Sequence, residues 1–512
     1  MIDPAALAVV VARLGGVAHE MGAVLQRSAF SPNINERADC SAAVFAADGT
    51  LLMQAEHIPV HLGAMPASVH AVLAMIEQRS LRLRDGDQFI VNDPFAGGTH
   101  LNDVTVVAPV VAADGRVLGW VANRAHHADV GGIAPGSMSP HAVEIQQEGI
   151  RIPPVALTPD VEAVFVAASR TPDERRGDLA AQIGANRIGV ERFAELGLDA
   201  GTIDSLIDYG ERRMRAALAS LPDGAVTVRD VLDSTGRADE GSAAIVCTVV
   251  VDGDTIRFDL RDSARQRTGN VNAVRAVTVS AAVFALRCAT DPDIPANGGA
   301  LRPVEVLTTD GSIVAASPPV AVGSGNVEVS QRVADVCLAA LAHFVPHRIG
   351  AAGQGTMNNV LIGGDGFVHY ETIGGGQGGR PWAPGMSGVH TAMTNTLDTP
   401  VEALERVRPL RIRTMSLRRG SGGGGAMPGG DGIERHYEFL APATVSLVTE
   451  RRRTGPPGAA GGAPGTPGRN RLRGDASSTY EELPDKDTFA VAPGDVLEIA
   501  TPGGGGWGDQ PE

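Results

Sequence analysis

The sequence predicts an α/β fold of the mixed α+β kind, a large multi-layer body with mixed sheets, many glycine-rich loops and β-hairpins. Three observations lead to it. Helical and strand-like hydrophobic periods both recur along the chain, Asp-Gly turns separate paired apolar runs, and the 512 residues include 64 glycines. So much glycine indicates turns and close backbone approaches. We expect one continuous unit with three regions, 1–220, 221–330 and 331–512, divided where the composition shifts.

The N-terminal part has the clearest element pattern. Apolar positions at helical spacing over residues 4–29 predict a helix, with a kink at Gly15-Gly16. Residues 42–45 and 51–54 flank Asp48-Gly49 and predict a hairpin. Further helices are expected at 67–79, 179–196, 202–221, 273–288 and 326–344, and further strands at 88–91, 227–232, 243–251 and 255–260.

Composition excludes several classes of function. The net charge of −16 argues against nucleic acid as a partner. Lys486 is the single lysine, so the chain has no P-loop, and Schiff-base chemistry is discounted. The four cysteines form no CxxC pair, which is typical of reduced, buried thiols. With no signal peptide and no run near the roughly 20 apolar residues of a membrane span, we expect a cytoplasmic protein without membrane contact.

A hairpin gathers histidines and aspartates. Eight of the thirteen histidines fall within the first 141 residues. Two apolar runs flank Asp114-Gly115, and a two-residue loop there would pair Ala113 with Arg116. Counting outward then places Asp103 opposite His126, and His100 opposite Asp129. Directly opposed residues have Cβ atoms about 4.5–5.5 Å apart, close enough to share a metal.

Two imidazoles plus carboxylates favour Mn, Fe or Zn over Mg or Ca. With few protein ligands, coordination positions stay open for water or a substrate carbonyl, as metal-assisted hydrolysis requires. The alternative is that these residues only cap strands. Glu144 and Glu148, four residues apart, either point at the metal from one helical face or form a solvated pair.

Four other groups near the N-terminus also admit two interpretations. His57 and His61 suggest a second metal pair, but Pro59 between them argues against the helix that such a pair needs. Glu36 and Asp39 either line the active site or form an ion-paired turn, and we favour the turn.

Two candidates lie in the C-terminal region. The glycine run that contains Gly375 and Gly376 and ends at Arg380 is typical of an anion-binding loop, although glycine runs are common in ordinary loops. His390 is either a general acid or a packed polar residue, and both interpretations stay open.

Motifs along nearly the whole chain resemble the hydantoinase B/oxoprolinase family. The motifs are QAEHIPVHLG at 54–63, NDP at 92–94, GGTHLND at 97–103, AHHADVGG at 125–132, ETIGGG at 371–376, HTAMTN at 390–395 and GGGGWG at 503–508. The resemblance implies a separate A-type partner with an actin-like ATPase fold, which binds ATP and Mg and phosphorylates a carbonyl or enol oxygen. It therefore implies a hetero-oligomer.

In the carboxylase branch of that family, a His-x-x-Asp pair and a downstream histidine hold a divalent metal. Carried onto this chain, the ligands are His100, Asp103 and either His126 or His127, and the hairpin count favours His126. The resemblance thus implies the metal-bearing (B-type) subunit of an ATP-dependent cyclic amide hydrolase, with a bound Mn, Zn or Fe. Asp129 would serve as general base or support a ligand, and Glu148 is a weaker candidate for either role.

Two alternative functions share this site. An α-type subunit of an ATP-dependent ketone carboxylase would use the same ligands with a different electrophile. A non-catalytic scaffold for the ATPase chain would need no metal. The sequence leaves the substrate open between oxoproline, a hydantoin and another lactam.

Overall fold

The computed structural model describes residues 3–55, 58–237 and 240–510. Helices and strands are present in comparable amounts, and helices cover several of the sheets, so the predicted mixed α/β class is confirmed. The helices are α1 (Pro4–Ser28), α2 (Pro32–Asn35), α3 (Ala64–Gln78), α4 (Pro159–Ala168), α5 (Pro172–Leu196), α6 (Ala200–Leu218), α7 (Arg275–Ala289), α8 (Gly298–Leu301), α9 (Ser330–Leu341) and α10 (Val401–Val407).

The strands of the N-terminal and middle regions are β1 (Cys40–Ala46), β2 (Leu51–Ala55), β3 (Phe89–Val91), β4 (Asp103–Val111), β5 (Val117–His126), β6 (Val155–Ala156), β7 (Gly224–Val231), β8 (Ala244–Asp252), β9 (Thr255–Asp259) and β10 (Val304–Leu307). Those of the C-terminal region are β11 (Asn359–Gly364), β12 (Phe367–Glu371), β13 (Leu410–Arg418), β14 (Gly432–Phe439), β15 (Ala443–Val448), β16 (Arg469–Arg473), β17 (Glu481–Leu483), β18 (Lys486–Val491) and β19 (Val496–Ala500).

Within the described ranges these strands form four sheets. Their orders are β2-β1-β5-β4-β3-β6, β10-β9-β8-β7, β12-β11-β15-β18 and β13-β14-β19-β16-β17. Only the parallel pair β9–β10 makes the second sheet mixed, and the other three are antiparallel. α7 and α9 pack against each other, and α9 also packs on β7 and β8, in the largest hydrophobic core.

The first sheet carries the predicted hairpin and has helices on both faces. Val44 and Val121 face α1 and α5, whereas Phe45 and Ala122 face α3. Because alternate residues of a strand point to opposite faces, a sheet covered on both sides reads as a nearly continuous apolar run. This alternation decides which side chains at the strand ends reach the site.

The hairpin register is right at its far end, although the predicted turn is wrong. The backbone pairs Ala112 with Arg116, so the loop has three residues with Gly115 in the left-handed region. A β-bulge at Leu118 then shifts the pairing back by one. The two differences cancel, and Asp103 pairs with His126 as predicted.

Helix α1 runs through Gly15 and Gly16 without interruption, because it is packed along α5 and the first sheet. Two helical stretches, Ala5–Ser28 and Pro59–Gln78, are long and apolar enough to cross a membrane by length and composition, contrary to the expectation from sequence. Core helices of soluble proteins share these properties, and both stretches pack against other elements of this fold.

Glycine-rich segments of the C-terminal region pack on one another without forming helices or strands. The segments are 374–379, 422–430, 455–465 and 503–508. Gly376 donates to Pro502, Gly504 to Gly430, and Gly379 to Gly505. A Cβ atom at most of these glycines would collide with the backbone of a neighbouring segment, so close packing explains much of the glycine content.

Candidate metal centre

The carboxylate of Asp103 lies at the centre of a buried cluster of three histidines. Its Oδ1 atom is 3.2 Å from Nε2 of His100 and 3.4 Å from Nδ1 of His126. Its Oδ2 atom is 3.4 Å from Nε2 of His61 and accepts a 2.6 Å hydrogen bond from the hydroxyl of Thr99. All four cluster residues are buried. The structure thus brings together the three predicted ligands and adds His61.

The loop before β4 turns His100 toward Asp103. Asp93 begins this loop as the cap of a 3-10 turn, and Gly97 adopts a φ of 87°. A side chain at Gly97 would strike the backbone of α3, so the loop passes close to that helix. The amide of Asp103 then donates to the carbonyl of His100 in a tight turn. This turn overcomes strand alternation, which would have placed positions 100 and 103 on opposite faces.

Sequence reasoning undervalued His61 and Asp39. His61 ends a 3-10 turn that starts at Pro59, and its Nδ1 atom lies 2.9 Å from the hydroxyl of Ser41. His57, the other member of the suggested pair, lies outside the described residues. The favoured ion-paired turn at Asp39 is wrong, because its side chain lines the same pocket as Asp103 and His126 and accepts from Asn33. The position of Asp39 directly before a buried strand was the available signal.

Strand alternation separates His126 from His127. His126 points to the α3 face with Asp103, whereas His127 points toward α5 and contacts Gln182 at 2.9 Å. The ring of His127 also meets Phe165 edge-on. Of these two histidines, His126 is therefore the one that contacts Asp103.

Burial and mutual contact set the charge state of the cluster. Burial opposes ionisation of Asp103, but His100 and His61 hold its pKa well below the usual range. Burial lowers the pKa of His126 to about 3 and also lowers that of His61. Burial raises the pKa of Asp39 to about 7. These shifts favour neutral imidazoles at His61 and His126 and an ionised carboxylate at Asp103, which are the forms that bind metal.

The remaining pocket wall comes from distant parts of the chain. Tyr370 on β12 stacks on the ring of His126 at 4.4 Å, and its backbone carbonyl accepts from Arg37. We call residues 393–399 the strap, a segment without helix or strand that lines the pocket through Thr394 and Thr396. The free space in the pocket is about 20 Å³, enough for one water.

A divalent ion fits this arrangement. Both ring nitrogens of His100, Nε2 of His61 and Nε2 of His126 are buried without a hydrogen-bond partner. Buried polar atoms are normally satisfied, so convergent orphan nitrogens around a carboxylate indicate a ligand. His100, Asp103 and His126 offer three donor atoms within 4.8 Å of one another. Nitrogen and oxygen donors together suit Mn, Fe or Zn.

A second group, Glu434, His436 and Glu498, meets the same distance criterion. It differs from the first because Glu498 already pairs with Arg469 and Arg471, at 2.9 and 2.6 Å. These arginines occupy the oxygens that an ion would need.

Asp129 lies apart from the cluster, and its predicted position opposite His100 is wrong because β4 begins only at Asp103. Its two oxygens accept from the backbone of Gly131, Gly136 and Arg170, and from the side chains of Ser169 and Arg170. A carboxylate held by so many donors fixes the loop after β5 and is a poor general base.

Glu148 and His390 lie one layer behind the pocket. The Glu148 carboxylate accepts from the backbone amides of Val322 and Gly323, and burial raises its pKa to about 7. The Nε2 atom of His390 is 3.3 Å from the Thr396 hydroxyl, and burial lowers its pKa to about 3. Both residues support elements that line the pocket.

The glycine run before Arg380 forms no anion-binding loop. The amides of Gly375 and Gly376 donate to the carbonyls of Val389 and Pro502, so they have no N–H left for a phosphate. The Arg380 guanidinium donates to Pro384 and lies over Trp382. This interpretation was wrong because the glycines are required for packing against neighbouring backbone.

The single lysine is structural as well. Lys486 is buried, and its ammonium contacts Glu450 at 2.5 Å, Asp485 at 3.1 Å and two backbone carbonyls. These contacts raise its pKa against the effect of burial, which keeps the amine charged and unable to form a Schiff base.

Comparison with known proteins identifies the family of this chain. The profile of the hydantoinase B/oxoprolinase family matches residues 3–510. An uncharacterised protein of Methanocaldococcus jannaschii is 39% identical over 99% of this chain and 91% of its own length. 5-Oxoprolinase 1 of Arabidopsis thaliana is 38% identical over 97% of this chain. The chain spans only 41% of that enzyme's length.

Solved structures share the fold. The ATP-dependent caprolactamase from Pseudomonas jessenii superposes with a TM-score of 0.92 at 28% identity, over 100% of this chain and 92% of its own. Acetone carboxylase superposes with a TM-score of 0.89 at 18% identity, over 99% of this chain and 76% of its own, which establishes likeness of fold alone. The chain belongs to the hydantoinase B/oxoprolinase family.

Proposed function

We propose that this chain is the metal-bearing subunit of an ATP-dependent hydrolase of cyclic amides. An A-type partner with an actin-like ATPase fold transfers the γ-phosphoryl group of ATP to the amide oxygen. On this chain water then adds to the amide carbon, the C–N bond breaks with a proton passing to the nitrogen, and inorganic phosphate leaves. The observation that carries the proposal is the convergence of His61, His100 and His126 on one buried carboxylate, Asp103. The caprolactamase likeness over the full chain supports the hydrolase over the carboxylase.

His100, Asp103 and His126 would hold a divalent ion of Mn, Zn or Fe, with His61 and Asp39 beside it. When bound, such an ion supplies Lewis acidity toward water and a substrate oxygen. Asp39 is placed at the pocket wall, where its carboxylate accepts a proton from the attacking water. Tyr370 fixes the ring of His126 by stacking, and the strap excludes bulk water.

The test is an assay of the complex with its A-type partner. We expect ATP-dependent ring opening of a lactam or hydantoin, lost on chelation and lost in His100→Ala. Bicarbonate-dependent consumption of a ketone, without ring opening, would overturn the hydrolase in favour of carboxylation. Full ring opening by His100→Ala would instead indicate a scaffold that only orders the ATPase chain.

A further inference from the structure

The side chain of Asn326 is an unexplained polar group in the metal pocket. It is 3% exposed and lines the cavity together with His61, Asp103 and His126. Its Oδ1 atom is buried without a partner, and no hydrogen bond to either end of the amide occurs within the described ranges. An unsatisfied buried amide costs free energy. A ligand that pairs with it would recover this cost.

The position of Asn326 is fixed by its backbone. It belongs to a π-helical turn, Gly325–Val329, at the start of α9. π-Turns are rare and are frequently found at functional sites. A side chain at Gly325 would collide with the backbone of Asn272, and Glu148 holds the amides just before the turn. The backbone on the N-terminal side of Asn326 is therefore held in place, and the Asn326 side chain lines the pocket.

A carboxamide matches the edge of a cyclic amide. In a small ring the amide is cis, so its C=O and N–H lie on the same edge, whereas open-chain amides are trans. The oxygen and N–H of Asn326 lie side by side in the same way, and the two groups can exchange a pair of hydrogen bonds. A ketone offers an acceptor but no donor. Four apolar neighbours suit the methylenes of a ring: Ile58, Val60, Val327 and Met357.

We propose that Asn326 recognises the amide edge of the cyclic substrate before its carbonyl is phosphorylated, and so positions the ring beside the metal centre. This rests on the proposed function, because it assigns the substrate contact of the same pocket. The free space of about 20 Å³ in the pocket is too small for a ring. Binding of a ring therefore requires the pocket to widen.

The test measures binding rather than turnover. Three probes of similar shape, 2-pyrrolidinone, N-methyl-2-pyrrolidinone and cyclopentanone, are titrated into the metal-loaded full chain and its partner complex, with binding read by ligand-observed NMR. The other two probes lack the N–H donor. Each hydrogen bond that a probe cannot make should weaken its binding to the wild type about fivefold relative to 2-pyrrolidinone. Asn326→Leu should bind all three alike. The matched control is Gln78→Leu, which removes an exposed carboxamide at the end of α3 outside the pocket, and it should keep the preference.

Three results would overturn the proposal. The first is a lactam preference that persists in Asn326→Leu, and the second is no binding of any probe by the metal-loaded wild type. The third is loss of bound metal in Asn326→Leu, which would show that Asn326 is a metal ligand instead. Metal content is measured on the same samples. If the wild type itself holds no metal, the proposed function fails, whereas intact metal with an unchanged preference rejects the role of Asn326 alone.

Discussion

The Asp103 carboxylate lies 3.4 Å from Nδ1 of His126, directly across the β4–β5 pair. The two residues occupy the last rung of a ladder whose strands are buried on both faces. The hydrogen bonds between β4 and β5 fix the backbones of Asp103 and His126. The two side chains are therefore already in position before an ion binds. His100 and His61 reach the same carboxylate from a loop and a 3-10 turn. The strand pair therefore fixes one side of the cluster, and the loop and the turn supply the other side.

The variant His127→Ala tests whether His127 faces away from the Asp103 cluster, as the alternation of side chains along β5 and the residues after it requires. In His127→Ala the contact with Gln182 and the edge-on packing against Phe165 are lost. We expect the free energy of unfolding to fall by about 2 kcal/mol, as for other buried large-to-small changes. Metal content should stay unchanged because the ring faces α5. Urea denaturation and mass spectrometry of bound metal check both halves, and loss of metal at unchanged stability would contradict the assignment.

Tyr370 should influence metal affinity through its ring rather than its hydroxyl. Tyr370→Phe leaves Asn359 without its 3.0 Å hydrogen bond, at a cost of about 1–3 kcal/mol in stability, and keeps the stack on His126. Tyr370→Leu removes the stack, and metal affinity should fall about 10–100-fold, as when other supports of metal ligands are removed. Competition with a chelator measures the affinity. Equal affinities in the two variants would show that stacking does not orient His126.

Glu328 should make stability depend on pH. Burial and the nearby Glu450 raise its pKa to about 8 from a usual 4.5. A carboxyl whose pKa is raised by folding contributes stability that is present below about pH 4.5 and is lost as the pH rises through 8. Glu328→Gln stays neutral, so its stability relative to wild type should increase between pH 5 and pH 9. Urea titrations measure this difference, with the exposed Glu77→Gln as control, and a flat difference would contradict it.

Local pairing made part of the site predictable from sequence. The Asp114-Gly115 turn and the apolar runs beside it were enough to predict Asp103 opposite His126, because a bulge in β5 offsets the extra residue of the turn. The mixed α/β class followed from periodicity in the same way. Both features depend on residues that are close in sequence.

The rest of the site depends on contacts that no local pattern encodes. Tyr370 reaches His126 from a strand that lies more than two hundred residues further along the chain. Asp39 and Asn326 enter the pocket only because the first sheet packs beside the π-turn before α9. Gly375 and Gly376 were misjudged because close packing and anion binding both select glycine, and only the hydrogen bonds distinguish them.

The most direct measurement of the central claim is the metal stoichiometry of purified variants. Inductively coupled plasma mass spectrometry should find about one divalent ion per wild-type chain and nearly none in Asp103→Ala, because this change removes the charged oxygen donor that the three histidines surround. The matched control is His436→Ala, which alters the second group with similar spacing and should keep the ion. Full metal in Asp103→Ala, or loss of metal only in His436→Ala, would contradict the account.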